Sequence, residues 1–177
     1  MTARAALGYA LLALMFLTAC STQPVVTGDV VPEDGTWSLR GKLGISAGQE
    51  RGNFTIDWQQ DGDQFEIHLL GPLGMGVANI SGTDQGVVLR VPGEEPVFAV
   101  SADELLANVM GFNFPVAQMK YWVRGRPAPG RYRDVNHGFT QFGWKVEYLA
   151  IEQALPVRIR LTRPEVKLIM AIRQWTN

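Results

Sequence analysis

The segment WSLRGKLGI, Trp37–Ile45, decides the fold because its side chains alternate in character along the chain. Trp37, Leu39, Leu43 and Ile45 fall on one face of an extended strand, while serine, arginine and lysine fall on the other. A strand with one apolar and one polar face is typical of an antiparallel sheet with one side on a core and the other in water. We therefore expect the chain to be built on such a sheet.

The same alternation recurs on both sides of the middle of the chain. The hairpin signal Asp61-Gly62 follows the second of these patterns and predicts a tight turn into the third. Further strands are predicted at residues 53–60, 65–69, 77–81, 87–91, 144–148, 157–162 and 166–173.

The middle of the chain has the signals of two helices. Ser101 and Glu104 form a capping box that begins the first helix, and Gly111 can end it. Pro115, at a favoured first position, begins a second helix that runs to Gly125. Strands, then two helices, then strands predict an α+β fold with a curved antiparallel sheet against a short helical layer.

The apolar faces of all these strands must meet, and two short helices are too few to cover them. The sheet can close on itself as a solid barrel, or it can stay open around an apolar hollow. An ordinary packed core fits the same composition. The side chains expected to line the interior are Trp37, Leu39, Leu43, Phe54, Ile56, Trp58, Phe65, Ile67, Trp122, Trp144, Val146, Ile159, Leu168 and Met170.

The N-terminal sequence MTARAALGYALLALMFLTAC has the features of a secretory signal. One cation, Arg4, precedes an apolar run over residues 7–19, which is shorter than the roughly 20 residues that span a bilayer. The run ends in the segment Leu17–Cys20, which resembles a bacterial lipobox, and we predict that Cys20 is lipidated. An ordinary signal peptide with a chance cysteine is the alternative.

Three segments follow from this prediction. Residues 1–19 are a lipoprotein signal peptide, residues 20–35 a lipidated flexible tether, and residues 36–177 a single domain. Ser21, rather than aspartate, follows the cysteine, which in lipoprotein sorting implies the outer membrane, with the domain facing the periplasm. Because Cys20 is the only cysteine, no internal disulfide can form.

Charge is unevenly distributed along the chain. Residues 20–118 contain four basic and thirteen acidic side chains, a net of −9, whereas residues 119–177 contain eleven basic and four acidic ones, a net of +7. Such asymmetry predicts two surfaces of opposite sign, unless strands of the two halves interleave and mix the charges. Export and the lack of a basic motif with interleaved aromatic residues argue against a nucleic-acid partner.

No constellation of an enzyme or a metal site is present in the sequence. The two histidines, His68 and His137, have no other ligand at metal-binding spacing, and His68 lies on the polar face of its strand. Asp61 and Asp63 flank a hairpin glycine rather than a reacting bond. We predict that the protein is not an enzyme and binds neither metal nor cofactor.

Several segments together resemble the LolB family of outer-membrane lipoprotein receptors, in the family's order and over nearly the whole exported chain. The closing Trp175 also fits. These segments are residues 37–43 (WSLRGKL), 71–74 (GPLG), 121–127 (YWVRGRP), 144–148 (WKVEY) and 155–159 (LPVRI).

The resemblance implies an unclosed antiparallel barrel with helices as a lid over an apolar cavity. It implies no enzymatic activity. It also implies a monomer that accepts triacylated lipoproteins from the periplasmic carrier LolA and places them in the inner leaflet of the outer membrane. The family usually has a helix before the first strand, but here only the short acidic segment 31–36 precedes Trp37, which leaves part of the cavity wall unassigned.

The turn at residues 71–77, GPLGMGV, is uncharged, although hairpin turns are usually polar. The family resemblance implies a protruding loop with an exposed hydrophobic residue, and Leu73 matches that residue. We expect Leu73, with Pro72, Gly74 and Met75 beside it, to enter the inner leaflet of the outer membrane. The alternative is that Leu73 folds back onto the sheet, as most turn leucines do.

Two further questions stay open at the level of sequence. An envelope lipoprotein that senses lipid or protein, without transferring anything, fits the same features, and so does a structural lipoprotein without a cavity. The basic stretch with Arg124, Arg126, Arg131 and Arg133 is a candidate dock for the carrier, or simply a solvated loop.

Overall fold

The computed structural model describes residues 35–110 and 114–176, except for the side chains of residues 109 and 110. The chain divides into two units, Met1–Val31 and Pro32–Asn177, and all described residues belong to the second. The predicted signal peptide, Cys20, nearly all of the predicted tether and the predicted helix end at Gly111 lie outside the described residues, so these stay predictions.

The described part of the chain contains eleven strands, most of which coincide with the alternating segments of the sequence. They are β1 (Trp37–Ala47), β2 (Glu50–Asp61), β3 (Gln64–Leu70), β4 (Gly76–Thr83), β5 (Gly86–Arg90), β6 (Val97–Ala99), β7 (Arg133–Val135), β8 (Gly138–Gln141), β9 (Trp144–Glu152), β10 (Leu155–Arg163) and β11 (Val166–Thr176). A one-turn 3-10 helix, Pro72–Gly74, joins β3 to β4. The short strands β6, β7 and β8 lack a long alternating pattern, and the sequence did not predict them.

The strands form one antiparallel sheet in the order β6-β5-β4-β3-β2-β1-β11-β10-β9-β8-β7. The edge strands β6 and β7 do not pair with each other, so the predicted α+β fold with an unclosed sheet is confirmed. The first strand lies at the centre, where Leu43 pairs with Phe54 of β2 and with Met170 of β11. Every strand except the short edge strand β7 contributes apolar side chains to a common core.

Two helices link the edge strands. They are α1 (Ala102–Met110) and α2 (Val116–Trp122). The capping box is present in part, because the amide of Glu104 donates to Oγ of Ser101 over 3.2 Å. The predicted extension of α2 to Gly125 is wrong: the chain turns after Trp122, and Gly125 has φ 86°, a left-handed conformation that ends helices.

The order of strands also decides how charge is arranged. Strands β1–β6 and strands β7–β11 are two contiguous halves of the sheet that meet only where β1 pairs with β11. The halves do not interleave, so the expectation of interleaved strands is wrong. Residues 37–99, which form β1–β6 and their turns, contain four basic and eight acidic side chains, a net of −4, whereas residues 133–176, which form β7–β11 and their turns, contain seven basic and four acidic ones, a net of +3. The acidic excess of the first half lies in its turns, because strands β1–β6 themselves contain four basic and four acidic side chains.

Antiparallel order places the connections at two opposite ends of the sheet. The β1–β2, β3–β4, β5–β6, β8–β9 and β10–β11 connections lie at one end, which we call the Leu73 end. The chain enters β1 at the opposite end, which we call the Trp37 end and which also carries the β2–β3, β4–β5, β7–β8 and β9–β10 turns.

Gly41 is required where β1 and β11 change register. A Cβ at this position would collide with the carbonyl oxygen of Ala171 and lie 2.9 Å from the Cα of Ile172, both backbone atoms that cannot move aside.

We expect Gly41→Ala to lower the free energy of unfolding by about 2 kcal/mol, as overpacking does. Urea unfolding measures it. Gly44→Ala in the same strand is the control, because its nearest neighbour, at 3.3 Å, is the mobile side chain of Asn53. Equal losses in both variants would contradict the assignment.

Candidate functional site

The interior of the curved sheet brings most of the predicted lining residues together. Two of the fourteen, Phe54 and Phe65, are only half-buried, and the ring of Phe54 lies over Gly52 rather than in the core cluster. The twelve that are buried in one cluster are Trp37, Leu39, Leu43, Ile56, Trp58, Ile67, Trp122, Trp144, Val146, Ile159, Leu168 and Met170.

Side chains of the helices fill this interior. Leu105 and Leu106 of α1 and Val116 and Met119 of α2 are buried against the apolar face of the sheet, together with Trp122. Of these, only Trp122 was predicted to line the interior, although the apolar stripe of α1 was visible in the sequence. The helices therefore occupy the space that an open sheet would otherwise leave hollow.

Among the described residues, two small voids remain in the interior. One, of about 20 Å³, lies between strands β1–β4 and the helices, and the other, of about 10 Å³, lies between β10, β11 and α2. Leu43 and Met119 line both. Each void has room for about one water molecule, whereas pockets for small ligands measure roughly 300–1,000 Å³. Neither void is large enough for an acyl chain with the helices in this position.

A buried hydrogen-bond network holds the C-terminal end of α2. Gln141 of β8 accepts from the indole Nε1 of Trp122 over 2.9 Å and from the amide of Ala128 over 2.9 Å, and its Nε2 donates to the carbonyl of Ala128 over 2.7 Å. The hydroxyl of Tyr148 donates to the carbonyl of Trp122 over 2.9 Å, and burial raises the pKa of Tyr148. This end of α2 is therefore fixed to β8 and β9.

Tryptophans close the Trp37 end of the sheet. The ring of Trp37 lies 5.4 Å from that of Trp58 and 5.7 Å from that of Trp175, the C-terminal aromatic residue of the family-like pattern. Nε1 of Trp58 donates to the buried side chain of Gln60, and Nε1 of Trp175 donates to the carbonyl of Pro156. Because these polar atoms are paired, the cluster excludes water at little cost.

A mixed polar and apolar pocket of about 250 Å³ lies beside the two helices. Lys120 of α2 reaches across it to Asp63 of the β2–β3 turn over 2.8 Å, and the ammonium lowers the pKa of Asp63. Asp103 of α1 also lines the pocket. Burial raises the pKa of Asp103, opposed by the amides of Ala117 and Val116, and one carboxylate oxygen has no hydrogen-bond partner among the described residues.

The β3–β4 loop presents apolar side chains to solvent. Leu73 is 97% exposed and Met75 is 67% exposed. The backbone conformation directs the side chain of Leu73 into solvent. Leu73 has φ 67°, a left-handed conformation that bulky residues rarely adopt. The alternative in which Leu73 folds back onto the sheet is wrong. Entry of this loop, Pro72 and Gly74 included, into a membrane stays a prediction.

The four arginines of the predicted dock lie in two places. Arg124 stacks on Trp37 with 5.8 Å to the ring centroid, and burial together with the charge of Arg126 lowers the pKa of Arg124. Arg126 stacks on Tyr121. Arg131 and Arg133 are exposed beside β7, towards the Leu73 end. One continuous basic dock of all four is therefore wrong, because the loop runs from one end of the sheet to the other.

His68 lies on the outer face, as predicted, with its Nε2 3.1 Å from an oxygen of Glu66. Within residues 35–110 and 114–176, no three His, Cys, Asp or Glu side chains are grouped to hold a metal ion. Neither helix in this part of the chain has the length and apolar character to cross a membrane.

An unclosed antiparallel sheet wrapped around helices defines the fold class of this chain, and a solved structure shares it. A LolA superfamily protein from Nitrosomonas europaea has this fold, with a TM-score of 0.51 over 82% of this chain and 86% of the other, at 9% identity.

Sequence comparison gives the family. The family model described as outer membrane lipoprotein LolB matches residues 35–175. Outer-membrane lipoproteins LolB of Nitrosococcus oceani and Stutzerimonas stutzeri are 40% and 37% identical, each over 78% of this chain and over 75% and 73% of their own lengths. The chain belongs to the LolB family, and the protein is therefore a lipid-anchored lipoprotein of the outer membrane.

The variant Gln141→Met tests whether Gln141 anchors the C-terminal end of α2. We expect Gln141→Met to lower the free energy of unfolding by roughly 2–5 kcal/mol, because it leaves the Trp122 indole and both backbone groups of Ala128 buried without partners. Tyr148→Phe removes one hydrogen bond and should cost only about 1 kcal/mol. Denaturant unfolding of both variants measures the difference, and a loss for Gln141→Met no larger than that for Tyr148→Phe would refute the network.

The free energy of unfolding should depend on pH because of Asp103 in α1. Its folded-state pKa is raised above the ordinary value of 3.8, so the folded protein holds this proton more tightly than the unfolded chain does. Stability should therefore fall as the pH rises from about 3.8 through the folded-state pKa. Unfolding curves of the natural chain and Asp103→Asn, measured from pH 3 to pH 8, should diverge over that window, with Asp103→Asn the more stable at high pH. Parallel curves would count against the burial of this charge.

Proposed function

We propose that the protein accepts triacylated lipoproteins from a LolA-type periplasmic carrier and inserts them into the inner leaflet of the outer membrane. The observation that carries the proposal is the exposure of Leu73, an apolar side chain held in water by a left-handed backbone at one end of an apolar-lined sheet. Folding does not require such a residue there, and a loop that meets lipid does.

The interior provides the binding step. Twelve predicted lining residues and the inner faces of α1 and α2 form one apolar surface, which acyl chains would occupy when the helices move away. Because the Gln141 network fixes the C-terminal end of α2, we expect α1 and the start of α2 to make the larger movement. The buried charge of Asp103 lowers the stability of the closed position and so favours this opening.

The direction of transfer follows from burial of apolar surface. Chains leave the carrier if this interior covers them better, and they leave this interior because the bilayer covers them better still. No covalent bond changes in either step, so transfer needs no cofactor, and we infer that the protein is not an enzyme.

Charge provides a means of orienting the carrier. Residues 37–99 and residues 133–176, which form the two halves of the sheet with their turns, have net charges of opposite sign, −4 and +3. A carrier with a complementary surface would approach one side in preference, which raises the rate of productive encounters and makes it sensitive to salt.

Delivery is assigned to the exposed loop. Burial of one leucine side chain contributes roughly 1.5–3 kcal/mol, which is too little to hold the protein on the membrane. The lipid anchor, which we place on Cys20, holds it there with the domain facing the periplasm. The leucine instead brings one end of the sheet into contact with lipid, so that chains leave the interior without crossing water.

The test follows a lipoprotein from loaded LolA carrier to this protein and then to liposomes. A form without Cys20 is used, as the natural loop, as Leu73→Glu and as Gln153→Glu, whose charge change falls on an exposed turn at the Trp37 end. We expect all three to accept cargo, and Leu73→Glu to deliver about tenfold or more slowly, which corresponds to the loss of one buried leucine.

Two results would contradict the proposal. If the natural form never takes cargo from the carrier, the receptor function is wrong and the sensing or structural alternative replaces it. If cargo is accepted but Leu73→Glu delivers as fast as Gln153→Glu, the loop is not the delivering element.

A further inference from the structure

A second bulky apolar residue lies in a left-handed turn at the Leu73 end. Gln141 pairs with Trp144, so Phe142 and Gly143 alone connect β8 to β9. Their φ angles of 49° and 78° define a type I′ turn, which strongly favours asparagine or aspartate before glycine. A bulky aromatic residue in this conformation is an outlier, and Phe142 is 56% exposed.

The chain contains a comparable turn at the opposite end. Gln153 and Ala154 connect β9 to β10 with φ angles of 48° and 64°, and both residues are exposed. The first position of this turn has a polar side chain, as an exposed turn normally does. Turn geometry therefore does not account for an aromatic residue at position 142, and a strained, exposed position of this kind points to function.

Phe142 lies beside a second exposed aromatic residue. Its ring carbon Cζ is 3.5 Å from the position that a Cβ of Gly130 would occupy, so the ring covers the chain leading into β7. Tyr132 on that chain is 51% exposed, with its ring 6.0 Å from that of Phe139. Arg131 and Arg133, both exposed, flank Tyr132. We call Arg131, Tyr132, Arg133 and Phe142 the aromatic corner.

The chemistry of the aromatic corner matches a phospholipid surface. Tyrosine places an apolar ring in the interface and its hydroxyl in water, and arginine is attracted to anionic phosphate groups. The corner belongs to the basic half of the sheet and lies at the same end as Leu73. An end that already presents Leu73 to a leaflet would bring Phe142 to the same leaflet.

We propose that the aromatic corner is a second contact with the membrane, separate from the Leu73 loop and directed at the phosphate groups and the outermost part of the acyl chains. This inference takes one element from the proposed function, namely that the Leu73 end faces the leaflet. In the order of the strands, β3, β2, β1, β11, β10 and β9 lie between the two contacts. A single contact leaves the domain free to rotate about that point, whereas two separated contacts hold this end of the sheet against the lipid.

Acidic side chains limit the depth of this contact. Glu94 and Glu95 are exposed in the β5–β6 connection at the same end. A carboxylate in the hydrocarbon region is costly, so the end rests at the level of the headgroups and its exposed apolar side chains, such as Leu73 and Phe142, reach below it.

The experiment uses the full lipid-anchored protein in vesicles of phosphatidylethanolamine and phosphatidylglycerol. The natural chain has one cysteine, which its lipid blocks, so an introduced cysteine alone accepts an environment-sensitive dye. Three chains are labelled, with Phe142→Cys, Leu73→Cys and Gln153→Cys, and the parent chain gives the background. We expect blue-shifted emission, quenched by nitroxide-bearing lipids, at positions 142 and 73 but not at position 153.

The outcomes separate the two proposals. A label at position 142 that stays in water while the label at position 73 enters lipid overturns the second contact and leaves the proposed function intact. Entry at position 142 but not at position 73 supports the second contact and overturns the role of Leu73. Equal entry at position 153 would show that the dye drives insertion, and the second contact would be rejected.

Phe142→Asn distinguishes a membrane contact from a structural role. Asparagine is preferred in this turn, so the free energy of unfolding should stay the same or rise. Removal of the aromatic contact should reduce the blue shift of a dye at position 73, because the end is no longer held at two points. A fall in stability with an unchanged dye spectrum would assign Phe142 to the fold alone and overturn the proposal.

Discussion

The constraint on which the rest of the structure depends is the burial of one apolar face of an unclosed sheet. A closed barrel covers that face with its own strands. Here the edge strands β6 and β7 do not pair with each other, and two short helices cover the apolar face instead. Leu105, Leu106, Val116 and Met119 fill a space that strands alone leave hollow. The helices are therefore part of the core and, at the same time, the part that must move if the interior is to receive a ligand.

This dual role explains how polar groups are placed around the helices. Both polar atoms of the Gln141 side-chain amide are hydrogen-bonded, so this buried residue fixes one end of α2. Asp103 holds α1 and the start of α2 less firmly, because burial disfavours the charged form of its carboxyl group. Firm attachment at one end and weak attachment at the other are what a hinged lid requires.

Function in this fold is concentrated at one end of the sheet. Hairpin tips alternate between the two ends because neighbouring strands are antiparallel, so residues far apart in sequence meet the same surface. Leu73 and Phe142 are 69 positions apart in the chain, yet both lie at the Leu73 end and both have a left-handed backbone. The Trp37 end, by contrast, is sealed by paired tryptophans and carries the polar turn of Gln153.

From the sequence alone we could predict the strands with long alternating patterns, the start of α1, the open α+β architecture through the family-like motifs, and twelve buried residues of the interior. These features depend on local periodicity and capping, which neighbours in the chain specify. The short edge strands, the end of α2, the position of Phe54 outside the core and the two sites of the arginines could not be predicted, because each depends on what lies across the sheet. Tertiary structure is also what brings helix side chains into the interior, keeps the two parts of the chain in separate halves of the sheet, and places Leu73 and Phe142 at one end. The physical reason is that periodicity states which face of a strand is apolar, whereas strand order and curvature decide what that face meets.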